Sequence, residues 1–169
     1  MTELKGSKSE KDLLAAFAGE SQANRKYLAF AQKADTEGHA QVARLFRAAA
    51  AAETVHAHAH LRTLKGVGGT ADNLKEAIAG ETHEFKNMYP AMIEEAKAEG
   101  EKAALRSFSY ANDVEKIHAD LYTKALNNLD SMEEVDYWVC NVCGYTCESE
   151  APDACPVCKA PKKAFFKVD

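Results

Sequence analysis

Apolar residues return every three or four positions through four long runs of this chain, and the pattern shortens to strand-like stretches only near the carboxyl end. In the first run Leu13, Phe17, Glu20, Asn24, Tyr27 and Ala31 share one helical face. In the second the shared face is Val42, Leu45, Ala49, Glu53, His56 and His60. The third carries Ile78, Glu81, Glu84, Phe85, Met88 and Met92, and the fourth Leu105, Phe108, Glu115, His118, Tyr122 and Leu129. Helices are predicted over 9–36, 39–65, 71–99 and 101–128. Gly38 ends the first turn, Gly66, Gly68 and Gly69 break the second helix from the third with Thr70 as N-cap, and Gly100 separates the last two. After Asn128 comes a polar, acidic stretch, LDSMEEVD, and then Tyr137–Val139 and Phe165–Val168 read as short strands around Cys and Pro turns. The expected fold class is mainly α: a four-helix bundle over 1–130, a linker over 131–136 and a small β/knuckle domain over 137–169.

In every run an acid interrupts the face that periodicity assigns to the core. Three of those acids are followed three residues later by a second ligand type: His56 after Glu53, Glu84 after Glu81, His118 after Glu115. Residues three apart lie on one helix face and can aim two donor atoms at one point. An unpaired carboxylate in a core costs several kcal/mol, so five of them require compensating cations. One Glu-x-x-His pair is unremarkable on a solvated helix, but four runs agreeing in position is not. Acids from two helices and Glu-x-x-His from the other two form the ligand set of carboxylate-bridged two-metal bundles, and carboxylate with imidazole suits iron or manganese.

Composition narrows the partners. The formal charge of −5, without a basic cluster, argues against nucleic acid. The amino terminus has no apolar stretch of signal-peptide length, and the alanine run Ala48–Ala52 is far too short to span a bilayer, so no membrane partner and a cytoplasmic location are expected. All five cysteines stand near the carboxyl end. Cys140-x-x-Cys143 and Cys155-x-x-Cys158 have metal-knuckle spacing rather than that of a disulfide framework, and fit one tetrahedral four-thiolate site.

Turn positions level the ligands. Glu20 stands 18 residues before Gly38 and Glu53 stands 15 after it, while Glu84 stands 16 before Gly100 and Glu115 stands 15 after it. The second connection is harder to place. A third helix parallel to the second needs a crossover of roughly 40 Å for helices of this length, and the six residues Gly66 to Ala71 reach only about 20 Å. Either the bundle runs up-down-up-down, or the last two helices of one chain complete the bundle of another in a homodimer.

The segments FAGESQANRKYLAF, AAETVHAHAH, AGETHEFKNMYP and DVEKIHADLY, followed by YWVCNVCGYTCESEAPDACPVCKAP, resemble the rubrerythrin family over essentially the whole chain. The resemblance implies a ferritin-like bundle with a non-haem di-iron site and a rubredoxin-like domain, hence two iron ions plus one four-cysteine iron per chain. It implies Glu20, Glu53, His56, Glu81, Glu84, Glu115 and His118 as di-iron ligands, with Glu53 and Glu115 bridging, Tyr27 and Tyr89 flanking the site by hydrogen bonding, and Cys140, Cys143, Cys155 and Cys158 holding the mononuclear iron. It also implies reduction of hydrogen peroxide to water, with electrons from an NAD(P)H-linked reductase or a rubredoxin passing through the four-cysteine centre. The alternative is a ferroxidase that oxidises Fe(II) with O2 and handles the iron. A non-enzymatic alternative makes the four cysteines a structural zinc knuckle.

Remaining residues receive plainer readings. Cys147 lies outside the family pattern and reads as an inert small side chain. His58 and His83 point away from the ligand face, His60 lies one turn beyond His56, Met88 and Met92 read as packing, and Trp138 as a cover for the small domain's core.

Overall fold

A computed structural model of the chain describes residues 4–168, which divide into two compact units, the first ending at Gly68 and the second beginning at Gly69. The first unit is a hairpin of α1 (Lys8–Thr36) and α2 (Ala40–Thr63). Ser7 caps α1 by accepting from the Glu10 N–H at 3.1 Å, and the Glu10 carboxylate accepts from the Gly6 N–H at 2.6 Å. The turn closes with Gly38 at a φ of 81°, and the His39 N–H donates to the Ala34 carbonyl at 2.8 Å. Buried positions in α2 are Ala43, Ala50 and Ala57, one every seven residues, and α1, which packs along α2, buries Ala31 and Ala34. Small side chains on that repeat let two backbones approach closely along their length. Of the alanine run Ala48–Ala52, only Ala50 is buried. Asn24 fastens the hairpin at mid-length, donating to the Ala50 carbonyl at 2.7 Å and to Thr54 Oγ1 at 2.9 Å. Bonds of this kind each contribute about 1 kcal/mol.

The second unit packs α3 (Thr70–His83) and α4 (Tyr89–Glu99) against α5 (Lys102–Asn127). Periodicity predicts one helix over 71–99, but the path widens to a π-turn over Glu84–Met88, in which the Tyr89 N–H donates to the Glu84 carbonyl five residues back. The cause is Pro90. It has no N–H to donate, and its ring collides with the carbonyl four residues earlier in a regular α-turn; a widened turn relieves both. The N-cap of α3 is Gly69 rather than Thr70, which forms the first helical residue. Gly100 ends α4 in the left-handed region, at a φ of 73°.

Beyond α5 lies a three-stranded antiparallel sheet of order β2-β1-β3, with β1 at Tyr137–Cys140, β2 at Thr146–Glu148 and β3 at Phe165–Val168. Its core is Cys140, Ala151, Cys155 and Phe165, covered by Trp138, Tyr145 and Val157 among others. The Trp138 indole N–H donates to the Ser149 carbonyl at 3.3 Å. The sheet lies on α5. Thr146 meets His118, Lys124 pairs with Glu148, and Gly144 faces Val114, which is buried. The fold class is therefore mainly α with a small β/knuckle domain, as expected. Among the described residues no helix is long and apolar enough to cross a membrane, and no charged side chain is fully buried.

Candidate metal centres

The two Cys-x-x-Cys segments fold alike. In the first, the Gly144 N–H donates to the Cys140 carbonyl at 2.8 Å and the Cys140 N–H to the Tyr145 carbonyl at 2.9 Å. In the second, the Lys159 N–H donates to the Cys155 carbonyl at 3.0 Å and the Cys155 N–H to the Ala160 carbonyl at 2.8 Å. Both knuckles need a left-handed residue after the second cysteine. Gly144 supplies it with a φ of 83° and Lys159 with 64°. The Sγ atoms of Cys140 and Cys158 stand 3.7 Å apart, and those of Cys143 and Cys155 3.5 Å apart. A tetrahedral thiolate site with metal–sulfur bonds of about 2.3 Å has edges of about 3.8 Å, so the four sulfurs already hold the required frame. Burial pushes the Cys143 thiol far above its ordinary value and the Cys158 thiol up as well. Burial also acts upward on Cys155, but the N–H groups of Cys158 and Val157 outweigh it and the net shift is down. Four thiolates this close need a cation. Cys147 stands apart, with its Sγ toward the Glu150 carbonyl at 3.5 Å and its thiol pushed up by burial; it packs against the core of the small domain.

The acids and histidines form two compact groups, one in each unit: Glu20 with Glu53 and His56, and Glu81 with Glu115 and His118. Within each group one donor atom per residue lies within 4.8 Å of the others. In the hairpin, His56 Nδ1 faces Glu53 Oε2 at 3.0 Å. A hydrogen bond to Glu53 raises the Glu20 carboxyl, and the same bond, with that from His56, lowers Glu53. His60, one turn beyond His56, acts on Glu20 through its charge, whereas His58 and His83 are exposed.

In the second unit His118 Nδ1 faces Glu115 Oε2 at 2.8 Å and Glu81 Oε1 at 3.8 Å. Burial raises the Glu81 carboxyl, and the charge of Glu115 adds to it. Glu84 belongs to neither compact group and opens the π-turn. Tyr89 stands at the end of that turn. Its hydroxyl is raised by burial and then by the charges of Glu115, Glu84 and Glu81. Tyr27 packs among Phe30 and Phe46, with ring centroids 6.3 and 6.2 Å away. Two residues near the ligands carry no sequence signal: Asn24, which joins α1 to α2 between the acids, and Thr146, which bonds His118 Nε2 across 28 positions of chain.

The donor sets fit the metals their chemistry suggests: carboxylate and imidazole for iron, four thiolates for a second, tetrahedral ion. A family model described as rubrerythrin matches residues 11–126, and one described as the rubrerythrin rubredoxin-like domain matches 138–166. The chain belongs to the rubrerythrin family. Rubrerythrin-2 of Clostridium acetobutylicum is 36% identical, over 90% of this chain and 92% of its own length. The rubrerythrin of Porphyromonas gingivalis is 38% identical over 96% and 90%. Among solved structures, nigerythrin in its fully reduced, all-ferrous state aligns with a TM-score of 0.59 at 33% identity, covering 99% of this chain and 94% of that one. Rubrerythrins are oxidoreductases, and this one carries the Glu/His ligand groups of their di-iron site together with the four-cysteine rubredoxin-like site.

Proposed function

We propose that this rubrerythrin reduces hydrogen peroxide to water, with electrons entering at the four-cysteine centre from an NAD(P)H-linked reductase or a rubredoxin. The reaction consumes two electrons and two protons per peroxide and yields two waters. An iron pair held by these residues would supply the two electrons together, which avoids releasing a hydroxyl radical. Glu20, Glu53 and His56 of the hairpin and Glu81, Glu84, Glu115 and His118 of the second unit would hold such a pair, with Glu53 and Glu115 as the candidate shared ligands. Tyr89, and Tyr27 on the hairpin, orient carboxylates by hydrogen bonding. Protons are carried by carboxylates such as Glu20 and Glu53 or by water. Cys140, Cys143, Cys155 and Cys158 hold the electron-transfer iron. The working division of the chain is 1–130 for the di-iron bundle, 131–136 for the linker and 137–169 for the iron–thiolate domain.

The observation that carries this reading is the pairing of a fixed, small set of carboxylate and histidine donors with an electron-transfer type of thiolate frame in one chain. Iron storage needs no such frame. Five cysteines without a disulfide fit a reducing cytoplasm. We further propose a homodimer with exchanged hairpins. Leu45 and Val55 of α2 are 68% and 64% exposed in the single chain, and Val42 and Phe30 are also open; a second copy is the partner whose helices complete such a face.

The test is anaerobic stopped-flow of the fully reduced full-length protein against peroxide and, separately, against O2. Fast oxidation by one equivalent of peroxide and slow oxidation by O2 is expected. Preferential reaction with O2, with many irons accumulating per chain, would transfer the assignment to ferroxidase. Sedimentation of the iron-loaded chain at micromolar concentration is expected to give a dimer; a monomer that keeps its iron pair removes the exchange.

A further inference from the structure

The side chain of His118 is engaged at both ring nitrogens, and the second partner comes from the small domain. Thr146 Oγ1 lies 3.1 Å from Nε2 and also 3.1 Å from the Gly144 carbonyl. A carbonyl can only accept, and a threonine hydroxyl has a single proton. With that proton on the Gly144 carbonyl, the hydroxyl is free to accept from an Nε2–H of His118. Nδ1 on the other edge faces Glu115 and Glu81; an ion bound there would take the Nδ1 lone pair and leave the ring's hydrogen on Nε2, facing Thr146. We propose that Thr146 is a positioning residue for His118, holding the imidazole by its Nε2–H so that Nδ1 is committed to a metal ion.

The inference rests on the reading of His118 as an iron ligand and adds to it a contribution from the small domain. The carbonyl that orients the hydroxyl belongs to Gly144, the left-handed residue of the first cysteine knuckle, whose N–H is bonded to Cys140. The docking that brings Thr146 to α5 is itself built from three places: Gly144 against Val114, Thr146 on His118, and Glu148 paired with Lys124. These contacts fall at intervals along one side of α5, so the small domain acts as an outer support of the ligand. A ligating histidine generally donates its free N–H to a fixed acceptor, which sets ring orientation and basicity. Here that acceptor is supplied by a side chain 28 residues away, in another domain of the family.

The experiment uses the full-length chain loaded with zinc at all sites, a diamagnetic state in which ring N–H signals are visible, together with chelator competition for Fe(II). The wild type is expected to show a His118 Nε2–H signal shielded from exchange with water. Thr146→Val should lose that signal to exchange and weaken Fe(II) binding roughly 10- to 100-fold, while Thr146→Ser, which keeps the hydroxyl, should restore both to within about threefold. Lys124→Met removes one of the three docking contacts and leaves Thr146 in place, and is expected to lose less of both signal and affinity than Thr146→Val. The inference is overturned if Thr146→Val keeps the shielded signal and an affinity within about twofold, if Thr146→Ser behaves like the valine variant, or if Lys124→Met loses as much as Thr146→Val. A His118→Ala control separates the two levels. If it leaves Fe(II) binding unchanged, the ligand assignment itself fails; if it weakens binding while Thr146→Val does not, only the positioning role does.

Discussion

The two carboxylate–histidine groups obey one pattern and are supported very differently. In the hairpin, His56 has a single near partner, Glu53, and its side chain is 56% exposed in the single chain. In the second unit, His118 is 27% exposed and bonded on both edges. The surroundings match. The hairpin buries chiefly alanines and leaves Leu45 and Val55 open, whereas α5 is covered by α3, α4 and the small domain. Ligand spacing thus specifies what can bind, while the second layer of contacts determines how rigidly each half waits for it.

Variants can break this contrast, and the largest effect is expected from the carboxylate nearest the histidine in each group, Glu53 and Glu115. Glu53→Ala and Glu115→Ala should each lower the iron bound at the carboxylate–histidine groups from two ions to one or none, read by metal analysis after gel filtration. Retention of two ions in either variant removes that residue from the bridging role. Next, His118→Ala should cost more Fe(II) affinity than His56→Ala, by roughly tenfold, because a pre-held ligand loses less freedom on binding. Equal losses would mean that the support of His118 contributes nothing.

Smaller effects test the support itself. The Lys124 ammonium is raised above its ordinary value by its hydrogen bond to Glu148. A folded-state value above the unfolded one means that the pair's stabilisation is complete below the ordinary lysine range and is lost as pH climbs through the raised value. Thermal melts should show an alkaline decline that Lys124→Met lacks; an identical decline in the variant assigns it elsewhere. The smallest effect concerns the knuckles. Lys159 holds a left-handed conformation that Gly144 adopts without strain, so Lys159→Gly should be neutral to stabilising by about 1 kcal/mol, and Gly144→Ala should destabilise by about 1–2 kcal/mol. Denaturant titration with the visible iron–thiolate band as probe distinguishes them.

Spacing made much of this legible. The repeat of apolar positions located the helices to within a few residues, and the acids that interrupt it located both ligand groups, because helical periodicity places i and i+3 on one face whatever the tertiary structure. The Cys-x-x-Cys pairs gave the thiolate site for the same reason: their geometry is local. What spacing missed is not local. Thr146 looks like any strand threonine until the sheet is laid on α5, and Asn24 like any polar helix residue until α2 lies beside it. Gly69 displaced Thr70 as the cap of α3 because its extended backbone enters the helix without a side-chain bond. Pro90 was visible, but the apolar spacing runs on past it and carries no sign of a wider turn.

That wider turn sets the phase of everything after it. A regular α-helix advances about 100° per residue, and a π-turn stores one residue more than an α-turn in the same stretch. Glu81 and Glu84 lie before or at the start of Glu84–Met88, Tyr89 lies after it, and all three act on the same neighbourhood of α5. Deleting Asn87 would remove the stored residue and let the turn tighten with α4 still in phase with Glu81, whereas forcing the intact segment into a regular α-helix would rotate Tyr89 by about 100° and turn its hydroxyl away. The segment therefore works as a phase shifter: one extra residue lets a ligand-bearing stretch and the tyrosine-bearing stretch after it keep separate registers along what is otherwise one rod.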